Sequence, residues 1–287
     1  MNKNVILTGF ADEIASDLTT QMRVIKALDM SYIEMRGVDG NNLIYHTNEK
    51  VSEIKSRMDD AGVKLSALGS PLGKIGIGDP FEPHFDAFKR AVELAHMMDT
   101  RNIRMFSFYM PGDKPLQESE GEVFERLGKF VDYAKANDAV LLHENEKGIY
   151  GEMASECKKL MDTFYCENFK AVFDFANFVQ CHQDTLEAYN LLKDYVAYVH
   201  VKDAIWSTGE VVPAGLGDGN VGAILKELIG GGYNGFLSLE PHLFDFVGLS
   251  SLEKNSETEK NMSNRKLTGE ETFTLAHDSL IKILENM

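Results

Sequence analysis

Four short stretches of the chain each end an apolar run with groups that can do chemistry. They are Leu141-Leu142-His143-Glu144-Asn145-Glu146, Val172-Phe173-Asp174-Phe175-Ala176-Asn177, Tyr198-Val199-His200-Val201-Lys202-Asp203 and Leu237-Ser238-Leu239-Glu240-Pro241-His242. In order, they deliver a carboxylate, a carboxylate, an imidazole and a carboxylate. Brought to one point, Glu144, Asp174 and Glu240 repel one another, and burying each without a partner costs several kcal/mol. A divalent cation resolves that conflict. Three oxygen donors and one imidazole suit Mn²⁺, Mg²⁺ or Co²⁺, with Zn²⁺ and Fe²⁺ as further candidates. Glu144, Asp174, His200 and Glu240 are therefore the predicted ligands of one metal ion. The plainer reading of each acid alone is a contact to substrate or a cap on the following helix.

The elements that must position them follow from the hydrophobic pattern. Eight short β-rich runs recur along the chain: Val5–Ala11, Tyr32–Arg36, Lys64–Ser70, Asn102–Phe108, Ala139–Asn145, Lys170–Phe175, Val196–Asp203 and Gly235–Pro241. Most are near-continuous apolar runs, as in strands of a parallel sheet buried on both faces. Amphipathic helical runs alternate with them, among them 17–28, 83–98 and 120–136, and Gly62 is placed to stop the helix that begins near Val51. Eight strand–helix units in 287 residues predict an α/β fold, a single-domain (β/α)8 TIM barrel. An open doubly wound sheet is the runner-up, but it would carry fewer strands and a glycine-rich loop after the first. Gly230-Gly231-Gly232 follows a helix and reads as its stop, not as a phosphate cradle. Residues 246–268 are polar and aperiodic and read as a long loop between strand eight and the last helix, at the mouth of the barrel.

In such a barrel the chemistry sits at the C-terminal ends of the strands. Further polar residues share that end. Arg36 ends strand two and Glu34 lies in the same phase, so an inward Glu34–Arg36 pair is one reading. Lys74 follows strand three in a Gly-Lys context that suits a phosphate or carboxylate. Lys202 shares the inward phase of His200 and either meets substrate or neutralises Asp203. His242 is placed to line the mouth, and Trp206 and Phe244 offer an apolar wall. His143 is out of phase with Glu144 and faces the helices.

At these positions the chain resembles the xylose isomerase-like TIM-barrel superfamily, in particular its sugar phosphate isomerases/epimerases. The resemblance spans residues 5 to 242 and the last helix. It rests on Gly9-Phe10-Ala11-Asp12-Glu13-Ile14, Leu68-Gly69-Ser70-Pro71-Leu72-Gly73-Lys74-Ile75 and the four strand ends above. The family's Glu, Asp, His, Glu metal site maps onto Glu144, Asp174, His200 and Glu240. In the family's ketose 3-epimerases, the two metal-bound glutamates exchange a proton next to a carbonyl. The resemblance thus implies Glu144 and Glu240 as the acid/base pair, working through a metal-stabilised enediolate. Two departures set the substrate apart from a free ketohexose. Asn177 stands where those epimerases carry a substrate-binding histidine. Those epimerases also carry an arginine a few residues beyond the histidine ligand, where this chain has Lys202, Asp203, Ala204 and Ile205 and no arginine nearby. Arg36, Lys74, Asn177, Lys202 and His242 are the residues expected to meet substrate.

The expected partner is a small-molecule sugar or sugar derivative, and the enzyme class an isomerase or epimerase. A lyase or dehydratase, or an enzyme of C-glycosides or 3-keto sugars, is the alternative on the same metal. With 45 acidic against 29 basic residues, the formal charge is -16. That charge argues against nucleic acid as a partner, and so against an apurinic-site endonuclease. A non-catalytic barrel would be expected to have lost one of the four ligand positions. Three cysteines without metal-binding spacing fit reduced thiols and a cytoplasmic setting. No apolar run approaches the ~20 residues needed to span a bilayer. A homodimer is expected by analogy with related barrels.

Overall fold

The structure, a computed structural model, describes residues 5–112, 115–243 and 267–287. The expected loop at 246–268 lies outside the described residues as far as residue 266, as does Phe244. Eight parallel strands form the barrel: β1 (Ile6–Gly9), β2 (Tyr32–Met35), β3 (Lys64–Gly69), β4 (Asn102–Met105), β5 (Val140–Glu144), β6 (Phe169–Asp174), β7 (Val196–Val201) and β8 (Phe236–Leu239). Their spatial order is β1-β8-β7-β6-β5-β4-β3-β2. The gap between β1 and β2 carries a single bridge, Phe10 to Glu34, so the barrel is nearly closed.

The helices between strands are α1 (Leu18–Ala27), α2 (Asn48–Ala61), α3 (Phe81–Met97), α4 (Leu116–Ala136), α5 (Ala154–Phe164), α6 (Phe175–Gln180), α7 (Thr185–Leu192), α8 (Val221–Gly230) and α9 (Gly269–Glu285). Their ends follow from local chemistry. Asp17 caps α1 by accepting the Thr20 N–H, and Thr268 with Glu271 forms a capping box on α9. Gly62 ends α2 in the left-handed region, at a φ of 69°, as its position predicts. Seven of the strands are one to three residues shorter than their apolar runs, and β6 has the expected length displaced by one residue. The reason is local: backbone beyond each ladder turns outward into a loop. The short helix α6, directly after β6, is not visible in the hydrophobic pattern.

Two apolar layers hold the molecule together. The larger lies between strands and helices and includes Phe88, Phe108 and Phe130 between α3, α4 and the β4 end. The smaller fills the barrel interior: Ala67, Val140, Leu142, Val172 and Tyr198. Side chains alternate across a strand. The next inward position above Leu142 is therefore Glu144, above Val172 it is Asp174, and above Tyr198 it is His200. The inner layer thus fixes the floor on which the polar residues stand. No helix among the described residues is long and apolar enough to cross a membrane.

Candidate metal centre

The strand register brings the four predicted ligands together. Asp174 on β6 lies beside His200 on β7, and His200 beside Ser238 on β8, two residues before Glu240. Glu144, Asp174, His200 and Glu240 are all buried, and each offers one donor atom within 4.8 Å of the others. His200 Nδ1 is the hub. It lies 2.9 Å from Glu144 Oε1, 3.5 Å from Glu240 Oε2 and 3.9 Å from Asp174 Oδ2.

Three observations fit this donor set to a cation. His200 Nε2 faces Glu34 Oε2 at 3.2 Å, and Ser238 Oγ donates to the same oxygen at 2.6 Å. With Nε2–H held by Glu34, an ion that displaced the Nδ1 proton would find the Nδ1 lone pair aimed into the carboxylate cluster, the arrangement usual behind a metal-binding histidine. Asp174 divides its two oxygens: Oδ1 caps α6 by accepting the Asn177 N–H at 2.8 Å, while buried Oδ2 accepts no hydrogen bond. The chemistry of the set, three carboxylates and one imidazole, suits a hard or borderline divalent ion. A second group of potential donors, Glu13, Glu240 and His242, shares Glu240, and Arg36 already reaches both of its glutamates.

Protein cations surround the carboxylates. Lys202 Nζ lies 3.0 Å from Glu240 Oε2 and 3.3 Å from Asp174 Oδ2. Arg104 Nη1 donates to Glu144 Oε2 at 2.8 Å. Arg36 Nη1 reaches Glu240 Oε1 at 3.3 Å, with its other donors on Asp12 and Glu13. His242 Nε2 lies 3.3 Å from Glu240 Oε1. The titration behaviour follows. Burial raises Glu144, but His200 and Arg104 outweigh it and hold its carboxyl at about 2. Burial likewise opposes, and Lys202 and His242 win, so Glu240 stays well below the usual carboxylate range. Burial pushes Asp174 up to about 7, with Lys202 pulling the other way. His200 is raised well above its ordinary value; burial opposes, and Glu144 and Glu34 prevail.

The residues expected to meet substrate fall into two groups. Arg36 and Lys74 line a cavity of about 320 Å³ beside the four donors, together with Arg104, Phe106, Tyr45 and Asn42. Asn177, Lys202 and His242 are buried in the wall of the centre. Asn177 Nδ2 donates to Glu144 Oε1 at 3.3 Å and to the Asn145 carbonyl at 2.9 Å. Lys202 does not serve Asp203, whose carboxylate accepts the N–H groups of Ala204, Gly215, Gly217 and Gly219 and so ties down the loop after β7. Glu34 faces His200 and Ser238, and Arg36 faces Asp12, Glu13 and Glu240, in place of the simple pair expected between them. His143 packs against Phe169 among the helices, as its phase predicts. Trp206 packs on His182 at the surface and is not part of the cavity lining.

Arg104 and Glu13 escape a reading that starts from the ends of the last four strands, whereas Glu34 stands inward as its phase predicts but faces His200. Arg104 had a signal: a charged residue inside an apolar strand must be buried with a partner.

The family described as Xylose isomerase-like TIM barrel matches residues 22–263. The chain belongs to that family. No curated protein sequence matches it. Among solved structures it is similar to an L-ribulose 3-epimerase (TM-score 0.74, 15% identity), covering 98% of this chain and 95% of that one. It is also similar to the IOLI protein with a bound zinc atom (TM-score 0.73, 16% identity), covering 98% and 99%. A third is the probable 3-DHS dehydratase AsbF of Bacillus anthracis (TM-score 0.67, 17% identity), covering 91% and 100%. Identities this low carry the fold.

Proposed function

We propose that this barrel is a divalent-metal-dependent sugar isomerase or epimerase that moves a proton at a carbon next to a carbonyl. Glu144, Asp174, His200 and Glu240 would hold the ion. Mn²⁺, Mg²⁺ or Co²⁺ suits the oxygen-rich set best, and Zn²⁺ or Fe²⁺ is the alternative. The observation that carries this reading is the convergence of four buried donors on one point. When bound, such an ion supplies Lewis-acid charge to a substrate carbonyl. The rest falls to the chain. Glu144 and Glu240 enter from β5 and from the end of β8, and they take and return the proton from two sides of the substrate. Arg104 and Arg36 keep these carboxylates ionised and oriented while no substrate is present. His200, braced by Glu34, keeps the pair apart and fixed.

The epimerase among the similar structures supports the reaction class. The partner is a small molecule, not nucleic acid; the cysteine usage supports a cytoplasmic setting, and analogy with related barrels supports a homodimer. A second reading, a lyase, draws on Lys202. Its ammonium lies 3.0 Å from Glu240, where it can donate a proton to a hydroxyl that leaves as water after a carboxylate removes the neighbouring C–H proton. Incubation of the metal-loaded protein with ketoses and keto acids in deuterated water separates the two. Isomerisation gives a product of the substrate's composition with one deuterium on carbon. Elimination gives a product lighter by one water. Neither product from any substrate class would contradict the proposal.

A further inference from the structure

The chain carries a charge of -16, yet the cavity beside the four donors is lined by three cations, Arg36, Arg104 and Lys74, against one carboxylate, Asp12. These cations are held in a row by aromatic rings. Arg36 Cζ lies 4.6 Å from the centre of the Phe10 ring, and Arg104 Cζ lies 5.1 Å from it. Arg104 Cζ also lies 4.6 Å from the centre of Phe106, with Lys74 Nζ at 4.3 Å from that same ring. The order is Arg36, Phe10, Arg104, Phe106, Lys74. Each ring attracts the cation on either side and keeps like charges apart.

The backbone is shaped for this row. A Cβ on Gly69 would meet Phe10 at 2.6 Å and Arg36 at 3.2 Å. Gly73 has a φ of +86° and sits so close to the Phe106 carbonyl that a Cβ would fall 2.0 Å from it. That approach sets Lys74 next to Phe106.

Each cation has a carboxylate partner, but two of the partners are claimed twice. Glu144, on Arg104, and Glu240, on Arg36, are also the acids of the metal centre. Arg104 is buried, makes one hydrogen bond among the described residues, and its Nε–H has no acceptor. A guanidinium has five N–H donors, so this one has capacity to spare.

We propose that the cavity is the subsite for an anionic group, a carboxylate or a phosphate, on the substrate. Arg104 and Lys74 grip the anion, and Arg36 supports it from behind Phe10. This rests on the metal-dependent reading above and narrows its substrate to a compact keto-sugar acid or keto-sugar phosphate. Arg36 and Arg104 touch both the acids of the centre and the cavity. The anion therefore lies within a guanidinium's reach of the reacting carbon. A cavity of about 320 Å³ admits a single short polyol rather than an oligosaccharide.

The test is calorimetric binding of three probes to the metal-loaded protein: D-gluconate, D-glucitol 6-phosphate and neutral D-glucitol. At least one anionic probe should bind about tenfold or more tightly than glucitol, the scale of one charge-assisted hydrogen bond. Which anion binds tells carboxylate from phosphate. Lys74→Met should weaken that anion about tenfold with metal content unchanged, since Lys74 touches none of the four donors. Arg104→Met should abolish the preference. Equal affinity for all three probes, or an anion preference untouched by Lys74→Met, would overturn the proposal. Loss of metal binding with anion preference intact would instead overturn the metal-dependent reading.

Discussion

The two halves of the barrel mouth differ in what they present: the half from β1 to β4 sets Arg36, Lys74 and Arg104 among Asp12, Glu13 and Glu34, and the half from β5 to β8 is built on three carboxylates. Strands β5 to β8 end in Glu144, Asp174, His200 and Glu240. The ends of β1 to β4 and their loops supply Arg36, Lys74 and Arg104, with Phe10 and Phe106 between them. Neither half is tolerable alone. Three buried carboxylates need counter-charge, and three cations stacked on aromatic rings need anions. The fold joins the halves across the mouth through Arg104 to Glu144 and Arg36 to Glu240. Lys202 adds a cation from within the acidic half. The acidic half is the donor set proposed to hold a cation. The basic half is a wall of donors facing a cavity. In the proposed function, reaction chemistry falls to the first and substrate selection to the second.

Substitutions that strike one half at a time sharpen this contrast. The largest effect is expected from Glu144→Gln or Glu240→Gln, which keep shape but remove the proton acceptor. Turnover should fall by about 10²–10⁴-fold, the usual share of acid–base catalysis, measured by deuterium entry from solvent with the protein still folded by circular dichroism. In the basic half, Phe10→Ala removes a fully buried ring from between two guanidiniums and beside His200. Denaturant unfolding should show a loss of about 3–5 kcal/mol. Gly69→Ala forces the new methyl against Phe10 and should cost about 1–3 kcal/mol in the same assay, with weaker anion binding because Arg36 moves.

The smallest effect is the pH dependence of one contact in the basic half. His84 Nε2 accepts the Gly73 N–H at 2.7 Å, pinning the loop that carries Lys74. Burial and then Arg126 lower His84 from 6.5 to about 4. Its folded value lies below its unfolded value, so the contribution is fully present above 6.5. It is lost as pH falls from 6.5 toward 4. Unfolding curves between pH 7 and 4 should show this loss in the native protein and a shallower one in His84→Gln, whose amide accepts the same N–H without titrating.

Much of the acidic half was legible in the sequence because it obeys one short-range rule. Strand side chains alternate, so the phase of Leu142, Val172 and Tyr198 places Glu144, Asp174 and His200 on the same inward face. The barrel was legible for the same reason: apolar runs and helical runs alternate from end to end. The basic half was only partly legible. Arg36 and Lys74 stand out as charges at strand ends, but their stacking partners Phe10 and Phe106 read as core. Arg104 looked like one charge within a strand. What makes it matter, Glu144 some 40 positions on and the Phe10 ring from the segment after β1, exists only after the barrel closes. Glu34 and His200 meet across 166 positions. The glycines that bind Asp203, 215, 217 and 219, likewise converge on it only when the loop folds back.

The central claim is that Glu144, Asp174, His200 and Glu240 form one metal centre. Elemental analysis of the purified protein and of His200→Ala, each before and after incubation with Mn²⁺, Co²⁺, Mg²⁺, Zn²⁺ or Fe²⁺, tests it most directly. The account predicts about one divalent ion per chain in the native protein and loss of that ion in the variant, with the fold retained. A native protein that takes up no ion from any of these solutions, or a His200→Ala protein that holds it equally well, would contradict it.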